Sequence, residues 1–443
     1  MKLFGTDGLR GKAGEFPLDP ASARLVGEQV GRRSGGRVVL GGDTRESTPG
    51  LIRDLAAGLR SSGCDVALAG VVPTPAVAEL VLALSAGAGI SVSASHNPYQ
   101  DNGIKVFGSD GRKWPDSEEE AVEKRLLDAR GSPHPGPLPP GEEEVAAQDE
   151  LAEIYLRRLA EHVPVRLNGL AVVVDAGNGA AYRVGPEALR RAGGRVAAIC
   201  DRPDGRNIND GCGALHPQVM AAKTEEAGAA MGVAFDGDAD RAIFAAGDGR
   251  ILDGDDVLWI LARDWNHKGI LRGRPVVGTV MSNYGLEHAL AREGIAFHRA
   301  PVGDRNVARR MEETGAPIGG EASGHVILPF SPAGDGIQTA LLVAAVLAES
   351  ARPLTALATL EKTPQQLRNV RAARRIELDR LPELTRAVAR AREALDHHGR
   401  VFLRYSGTEP LLRILVEGTE RGAVLAIADE LERVARAELG AAG

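Results

Sequence analysis

Cysteine is scarce in this chain of 443 residues. Cys64, Cys200 and Cys212 form no CxxC pair, and so few, unevenly spaced thiols argue against both a disulfide framework and a structural zinc site. Long apolar runs are missing too. Nothing approaches the roughly 20 uninterrupted apolar residues that a membrane helix requires, so no membrane association is expected. Positive charge is not in excess: Lys+Arg number 53 against 60 Asp+Glu, a net charge of −7, and no basic block stands out. Nucleic acid is therefore excluded as a partner. The start, Met1-Lys2-Leu3-Phe4-Gly5-Thr6-Asp7, lacks the apolar stretch and cleavage site of a secretory signal, and a cytoplasmic protein is expected. Aromatic residues are only 4% of the chain, whereas glycines number 55, which points to tight loops where backbone approaches a ligand closely.

What is present is an alternation of short β-branched runs and amphipathic stretches. Arg37–Leu40, a helix near 50–61, Asp65–Leu68, a helix near 75–85 and Gly89–Ser93 read as parallel α/β units. After a helix near 117–130, the proline-rich stretch Gly131–Gly141 reads as an exposed connector. A second α/β set runs through Leu170–Asp175, Val196–Ile199 and Met231–Phe235, and a third contains Pro275–Thr279, Ala296–His298 and a helix over 337–349. The last residues change order, with a strand near 366–372, a helix near 383–396, strands near 400–404 and 412–417 and a helix over 420–438. This predicts three doubly wound α/β domains and a smaller C-terminal α+β domain, divided as 1–147, 148–252, 253–363 and 364–443.

Four loops carry chemistry. Ser93-Ala94-Ser95-His96-Asn97-Pro98 follows an apolar strand, so Ser95 is a candidate nucleophile at a strand-end turn, with His96 and Lys105 nearby. No GxSxG elbow occurs, which lowers the case for a serine hydrolase. Asp236-Gly237-Asp238-Ala239-Asp240-Arg241 places carboxylates at i, i+2 and i+4, a hard-oxygen set suited to Mg²⁺. Arg241 at the sixth position, where an EF-hand needs glycine, excludes that motif. Gly319-Gly320-Glu321-Ala322-Ser323-Gly324-His325 offers partners for sugar hydroxyls and an imidazole that titrates near neutrality. Arg404-Tyr405-Ser406-Gly407-Thr408-Glu409-Pro410, with Arg413 beyond it, has the makings of a phosphate cradle. His216 and the His397-His398 pair receive no role, the pair reading as a solvated helix end.

In this order, one per inferred domain, the four loops closely resemble those of the α-D-phosphohexomutase superfamily over nearly the whole chain. Phe4–Gly11, Val280–Glu287 and Asn207-Ile208-Asn209 before Gly211-Cys212-Gly213 look like the branch acting on glucosamine phosphates. The resemblance implies four domains around a central cleft and interconversion of glucosamine 6-phosphate and glucosamine 1-phosphate, in the supply of UDP-N-acetylglucosamine. By the same resemblance Ser95 is the phosphorylated serine and, with Asp236, Asp238 and Asp240, holds Mg²⁺. Glu321 and Ser323 read the sugar, and Arg404, Ser406, Gly407, Thr408 and Arg413 clamp the non-reacting phosphate. Arg10, Lys105, Arg241 and His325 are the candidates for neutralising charge and moving protons. The activator implied is glucosamine 1,6-bisphosphate or another hexose bisphosphate, the partner is a phosphorylated amino sugar, and a homodimer is left open. Two positions depart from the relatives: Ala322 stands where the branch often has glutamine, and Val302–Arg305 lacks the histidine of phosphomannomutase/phosphoglucomutase relatives. The competing readings are a phosphoglucomutase or phosphomannomutase, a non-catalytic phosphosugar-binding protein and a Mg²⁺-dependent phosphatase.

Overall fold

The structure, a computed structural model, describes residues 3–5, 7–130, 147–372, 375–396, 399–405 and 411–440. The proline-rich connector over 131–141, the His397-His398 pair and the loop residues Ser406, Gly407 and Thr408 lie outside them. The described residues form two compact units, Met1–Thr279 with His298–Thr359 and Val280–Phe297 with Leu360–Gly443. Among the described residues no helix is long and apolar enough to cross a membrane.

The first unit holds three sheets. In the first, β1 (Phe4–Gly5), β2 (Gly8–Lys12), β3 (Arg37–Gly42), β4 (Asp65–Val71), β5 (Ala88–Val92) and β6 (Asp101–Gly108) lie in the order β1-β2-β6-β5-β3-β4. The second, β7 (Ala171–Asp175), β8 (Arg195–Ile199), β9 (Met231–Phe235), β10 (Ala242–Ala246) and β11 (Ile251–Leu252), has the order β11-β10-β9-β7-β8. The third, β12 (Val276–Thr279), β13 (Phe297–Ala300), β14 (Ile318–Gly320) and β15 (Val326–Ile327), has the order β13-β12-β14-β15. The parallel core expected from the sequence is present in β3 with β4 and β5, in β7 with β8 and β9, and in β12 with β14. Each sheet then turns antiparallel, at β5–β6, β9–β10 and β14–β15. Chain length explains the reversal: residues 93–100, 236–241 and 321–325 are too short for a parallel crossover, which needs a dozen or more.

Helices cover these sheets: α1 (Pro20–Ser34), α2 (Thr48–Ser61), α3 (Thr74–Ala83) and α4 (Asp116–Ala129) with the first, α6 (Val184–Arg191) and α7 (Pro217–Glu226) with the second, and α5 (Asp149–His162) between them, against β4, α3 and α6. The third set contributes α8 (Gly254–His267), α10 (Asp304–Thr314), α11 (Gly336–Ser350) and the short α12 (Leu354–Leu357). Their ends follow from local chemistry. The Asp19 carboxylate accepts from the Ser22 N–H to start α1, Pro20 fits the first turn, and Asp253 with Asp256 closes a capping box on α8. Leu55 and Leu59 of α2 and Val26 and Val30 of α1 bury against Val38, Leu40, Ile90 and Val92.

Helices α1 and α2 touch backbone to backbone. A Cβ added at Gly58 would stand 2.0 Å from the Arg24 carbonyl oxygen, and neither helix can yield without opening the core beneath it. Gly58→Ala is expected to cost about 3 kcal/mol by overpacking. Gly50→Ala in the same helix, whose Cβ would meet only the tip of Arg53 at 3.9 Å, is expected to be near neutral. Thermal unfolding of the two variants checks this, and equal midpoints would refute it.

The second unit is an antiparallel sheet in the order β16-β18-β17, from β16 (Gln365–Arg371), β17 (Gly399–Tyr405) and β18 (Leu411–Gly418), covered by α13 (Pro382–Leu395) and α14 (Arg421–Leu439). Helix α9 (Tyr284–Arg292) belongs here. Asn283 bonds Thr363, the buried Glu417 accepts from the Tyr284 N–H, and Arg400 donates to the Ser282 carbonyl.

Candidate active site

The first three chemical loops are the short connections just described, each joining a central strand to its antiparallel neighbour. Ser95, between β5 and β6, is fully buried and sits at φ 53°, a left-handed conformation that costs a residue with a Cβ roughly 1–2 kcal/mol. Local hydrogen bonds hold it there. The Ser95 N–H donates to Ser93 Oγ at 2.9 Å, and its carbonyl accepts from Arg45 Nη2 and Asn209 Nδ2, both at 3.0 Å. Arg45 is buried, paired with Asp43, and reaches the Asn97 carbonyl at 2.6 Å. Gly237 makes the meeting of the first two loops possible, since a Cβ there would lie 2.4 Å from the Ser95 carbonyl oxygen.

The side chain that results is placed for chemistry. Ser95 Oγ donates to Asp236 Oδ2 at 2.5 Å and lies 3.4 Å from His96 Nδ1. Asp236, Asp238 and Asp240 are all buried, with oxygens from the three within 4.8 Å of one another. Burial, and then the charges of Asp240 and Asp238, push the Asp236 carboxyl well above its ordinary range. Burial also acts against ionised Asp240, but Lys105, His325 and Arg241 outweigh it and hold that carboxyl well below the usual range. Lys105 Nζ stands 2.8 Å from Asp238 Oδ2, 2.9 Å from Asp7 Oδ2 and 3.6 Å from Asp240 Oδ2. Thr74 Oγ1 donates to the same Asp238 oxygen at 2.6 Å.

These partners satisfy one side of the triad. Among the described residues Asp238 Oδ1 and Asp240 Oδ1 are buried with no hydrogen-bond partner, the latter having only the Arg241 guanidinium at 3.7 Å. Unpaired buried carboxylate oxygens are costly, and a divalent cation is the group that fits them. The triad can therefore hold a metal ion.

Cations ring the serine. Arg241, directly after the triad, reaches His96 Nδ1 at 3.1 Å, while Arg10 pairs with Asp7 and donates to Asn97 Oδ1 at 3.3 Å. Burial, with Arg241 and Arg10 close by, lowers the His96 imidazole to about 4, so it is neutral at physiological pH. His325 is brought beside the triad by a bridge between Arg241 and His325, with Nδ1 3.6 Å from Asp240 Oδ2. Burial opposes its charge, but the hydrogen bond and charge of Asp240, then the charge of Asp304, raise its pKa. Lys105 is likewise disfavoured by burial and raised overall by Asp238, Asp7 and Asp240, so it keeps its proton.

Ser95, Arg10, Lys105, Arg241, His325 and the three aspartates thus fall into one network of the first unit. Glu321 begins the third loop, with its Oε1 accepting from the Gly303 N–H at 2.9 Å, and Ser323 is exposed on the same loop. In the second unit Arg404 and Arg413 face each other as direct partners on β17 and β18. The sequence reading assigned no part to Asp7, Asp43, Arg45, Thr74, Asn209, Lys113 or Asp304, although Lys113 bridges Asp7 and Asp304 beside Lys105. Asp7, Asn209 and Asp304 lie in segments noted only for how they resemble or depart from relatives, Asp43, Arg45, Thr74 and Lys113 in none, and the side chains converging on Ser95 and the triad reveal their part.

A buried serine beside three carboxylates that could hold a metal ion, with cationic side chains around them, is an arrangement suited to phosphoryl transfer, and comparison gives the class. Family models of phosphoglucomutase/phosphomannomutase match in chain order: α/β/α domain I at residues 1–130, domain II at 153–249, domain III at 253–363 and the C-terminal domain at 367–434. A solved phosphoglucomutase/phosphomannomutase family protein from Burkholderia thailandensis is 27% identical, with TM-score 0.81 over 100% of this chain and 98% of that one. Among relatives, the phosphoglucosamine mutase of Solibacter usitatus is 43% identical over 99% of both chains. That of a Thermus thermophilus strain is 45% identical over 98% of this chain and 97% of its own. The chain belongs to the phosphoglucosamine mutase family of phosphohexomutases, and it is an enzyme.

Proposed function

We propose that the enzyme interconverts glucosamine 6-phosphate and glucosamine 1-phosphate, with Ser95 as the phosphate carrier. The observation that carries this reading is the 2.5 Å contact of the buried Ser95 Oγ with Asp236, the first carboxylate of the triad. In the resting form Ser95 carries a phosphoryl group. The free hydroxyl of the bound sugar phosphate attacks that phosphorus, the bond to Ser95 Oγ breaks, and the proton of the attacking hydroxyl passes to a base. The product is glucosamine 1,6-bisphosphate. After this intermediate reorients, Ser95 Oγ attacks the other phosphate and the sugar leaves as the isomer. A hexose bisphosphate is correspondingly the activator.

Phosphoryl transfer depends on neutralising charge on the transferring oxygens. Arg10 and Arg241 supply fixed positive charge, and proton transfer falls to Lys105 or His325, both of which stand 3.6 Å from Asp240 Oδ2. Asp236, Asp238 and Asp240, with an oxygen of the phosphorylated serine, would hold Mg²⁺, which when bound adds two positive charges at the transferring phosphate. Glu321 and Ser323 read the sugar hydroxyls and amine. Arg404 and Arg413, with Ser406, Gly407 and Thr408, grip the phosphate that does not react; recognition of a phosphate rather than one sugar edge serves both orientations. The enzyme works in the cytoplasm on this phosphorylated amino sugar.

The test is a coupled assay with Mg²⁺ and trace hexose 1,6-bisphosphate on the 6-phosphates of glucosamine, glucose and mannose. The expected result is a kcat/KM for glucosamine 6-phosphate at least about 10-fold above the other two, the size of discrimination that a few hydrogen bonds to a 2-amino group give. A preference for glucose or mannose phosphate would move the enzyme to a neighbouring branch. Release of inorganic phosphate without isomerisation would make it a phosphatase.

A further inference from the structure

Behind the Ser95 loop, three groups that are far apart in sequence meet. Asp175 ends β7, Cys200 directly follows β8, which pairs with β7 in parallel so that Ile199 lies opposite Asp175, and Cys212 arrives on the segment between β8 and α7. One Asp175 oxygen and the two sulfurs lie within 4.8 Å of one another. The spacing of the cysteines in the chain argues against a zinc site, but the fold overrides that spacing.

We propose that Asp175, Cys200 and Cys212 form a second cation site, separate from the aspartate triad and selective for a thiophilic divalent ion of the Zn²⁺ class. The donor set is the first reason. Two sulfurs and one carboxylate oxygen suit tetrahedral Zn²⁺ with a water in the fourth place, whereas Mg²⁺ takes an all-oxygen octahedral shell. The ligand atoms, all within 4.8 Å of one another, would draw together onto an ion with metal–sulfur bonds of about 2.3 Å and metal–oxygen bonds near 2.0 Å. Backbone strain is the second. Cys200 is held at φ 49°, a conformation that favours glycine or asparagine, and this geometry brings its sulfur towards Asp175 and Cys212.

The surroundings complete a ligand shell. Asp175 is held by the Gly177 and Gly213 N–H groups at 2.8 and 2.9 Å, and Asn178 Nδ2 donates to Cys212 Sγ at 3.7 Å, so two of the three ligands are oriented by partners of their own. Asp175 and Cys212 are buried, while Cys200 is half-buried and provides the route of entry. A divalent ion would take the two cysteines as thiolates, their protons passing to solvent.

The site has a consequence for the serine. Cys212 lies three residues after Asn209, whose amide donates to the Ser95 carbonyl, and directly before Gly213, whose N–H is bound by Asp175. A bound ion ties this segment to the ends of β7 and β8 and thereby braces the loop that carries Ser95.

The experiment is a Co²⁺ titration of the reduced full-length protein in excess Mg²⁺, which keeps the aspartate triad occupied. Cobalt bound by thiolates has an intense near-ultraviolet charge-transfer band that oxygen ligands cannot produce. The expected result is such a band saturating at one equivalent, abolished by Zn²⁺, lost in Cys200→Ser and in Cys212→Ser, and unchanged in Cys64→Ser. No band in the folded, reduced wild-type protein would overturn the proposal whether or not the variants fold. So would a band that survives in both serine variants. A pair that instead oxidises to a disulfide, read as a loss of two hydrogens in intact mass with no cobalt band, would also overturn it.

Discussion

Ser95→Ala is expected to abolish turnover, with kcat falling by about 10⁴-fold or more, because the group that carries the phosphate is gone and, among the described residues, no other hydroxyl donates to Asp236 in its place. The fold should survive. The backbone that holds residue 95 at its left-handed φ is fixed through main-chain contacts to Arg45, Asn209 and Ser93, none of which needs the serine Oγ. The cost in stability is therefore about 1 kcal/mol, the loss of one buried hydrogen bond. Intact mass separates the two effects: a phosphate adduct present in the wild-type protein should be absent from the variant. A folded Ser95→Ala protein that kept a tenth of the activity would put the phosphate carrier elsewhere.

The second large effect is on stability and falls at Lys105. Its ammonium is buried among Asp7, Asp238 and Asp240, with contacts between 2.8 and 3.6 Å. Lys105→Met keeps most of the side-chain volume and deletes the charge, leaving three carboxylates without their shared counter-ion. Removing one partner of a buried ion pair costs about 3–5 kcal/mol, and the repulsion within the triad places this case at the upper end. Because a divalent cation relieves the same repulsion, the deficit should shrink when Mg²⁺ is added. Chemical denaturation of wild type and variant, each with and without Mg²⁺, reads both quantities. A variant within about 1 kcal/mol of wild type would mean that Lys105 is not the counter-ion the geometry makes it.

Much of the architecture was legible in the chain because it depends on local patterns. The strands at 37–42, 171–175 and 231–235 are apolar, β-branched or small-residue runs ended by polar loops, and the helices over 116–129 and 336–350 follow their predicted spans to within a residue. Strand β6 was not read as one, since Asp101-Asn102-Gly103 has turn chemistry; pairing with β2 on one side and β5 on the other outweighs it. The motif loops were recognisable because their chemistry is concentrated in a few consecutive residues. Arg45 was not: an isolated arginine carries no signal until it is seen buried against the carbonyls of residues 95 and 97. Lys105 was recognised as part of the site, yet the carboxylates that hold its ammonium lie 98, 133 and 135 residues away along the chain.

The amino-acid sequence alone determined the α/β character, the order of the chemical loops and which serine, carboxylates and arginines stand as candidates for phosphoryl transfer. Those properties reside in short stretches where side-chain type and spacing are sufficient. Tertiary structure decided which loops meet, that Ser95 Oγ bonds Asp236, that burial lowers the His96 imidazole while buried carboxylates raise Lys105, and that Cys200 and Cys212 come close to Asp175. These follow from distances and burial between segments remote in the chain, where charge–charge energies and desolvation change steeply over a few ångströms.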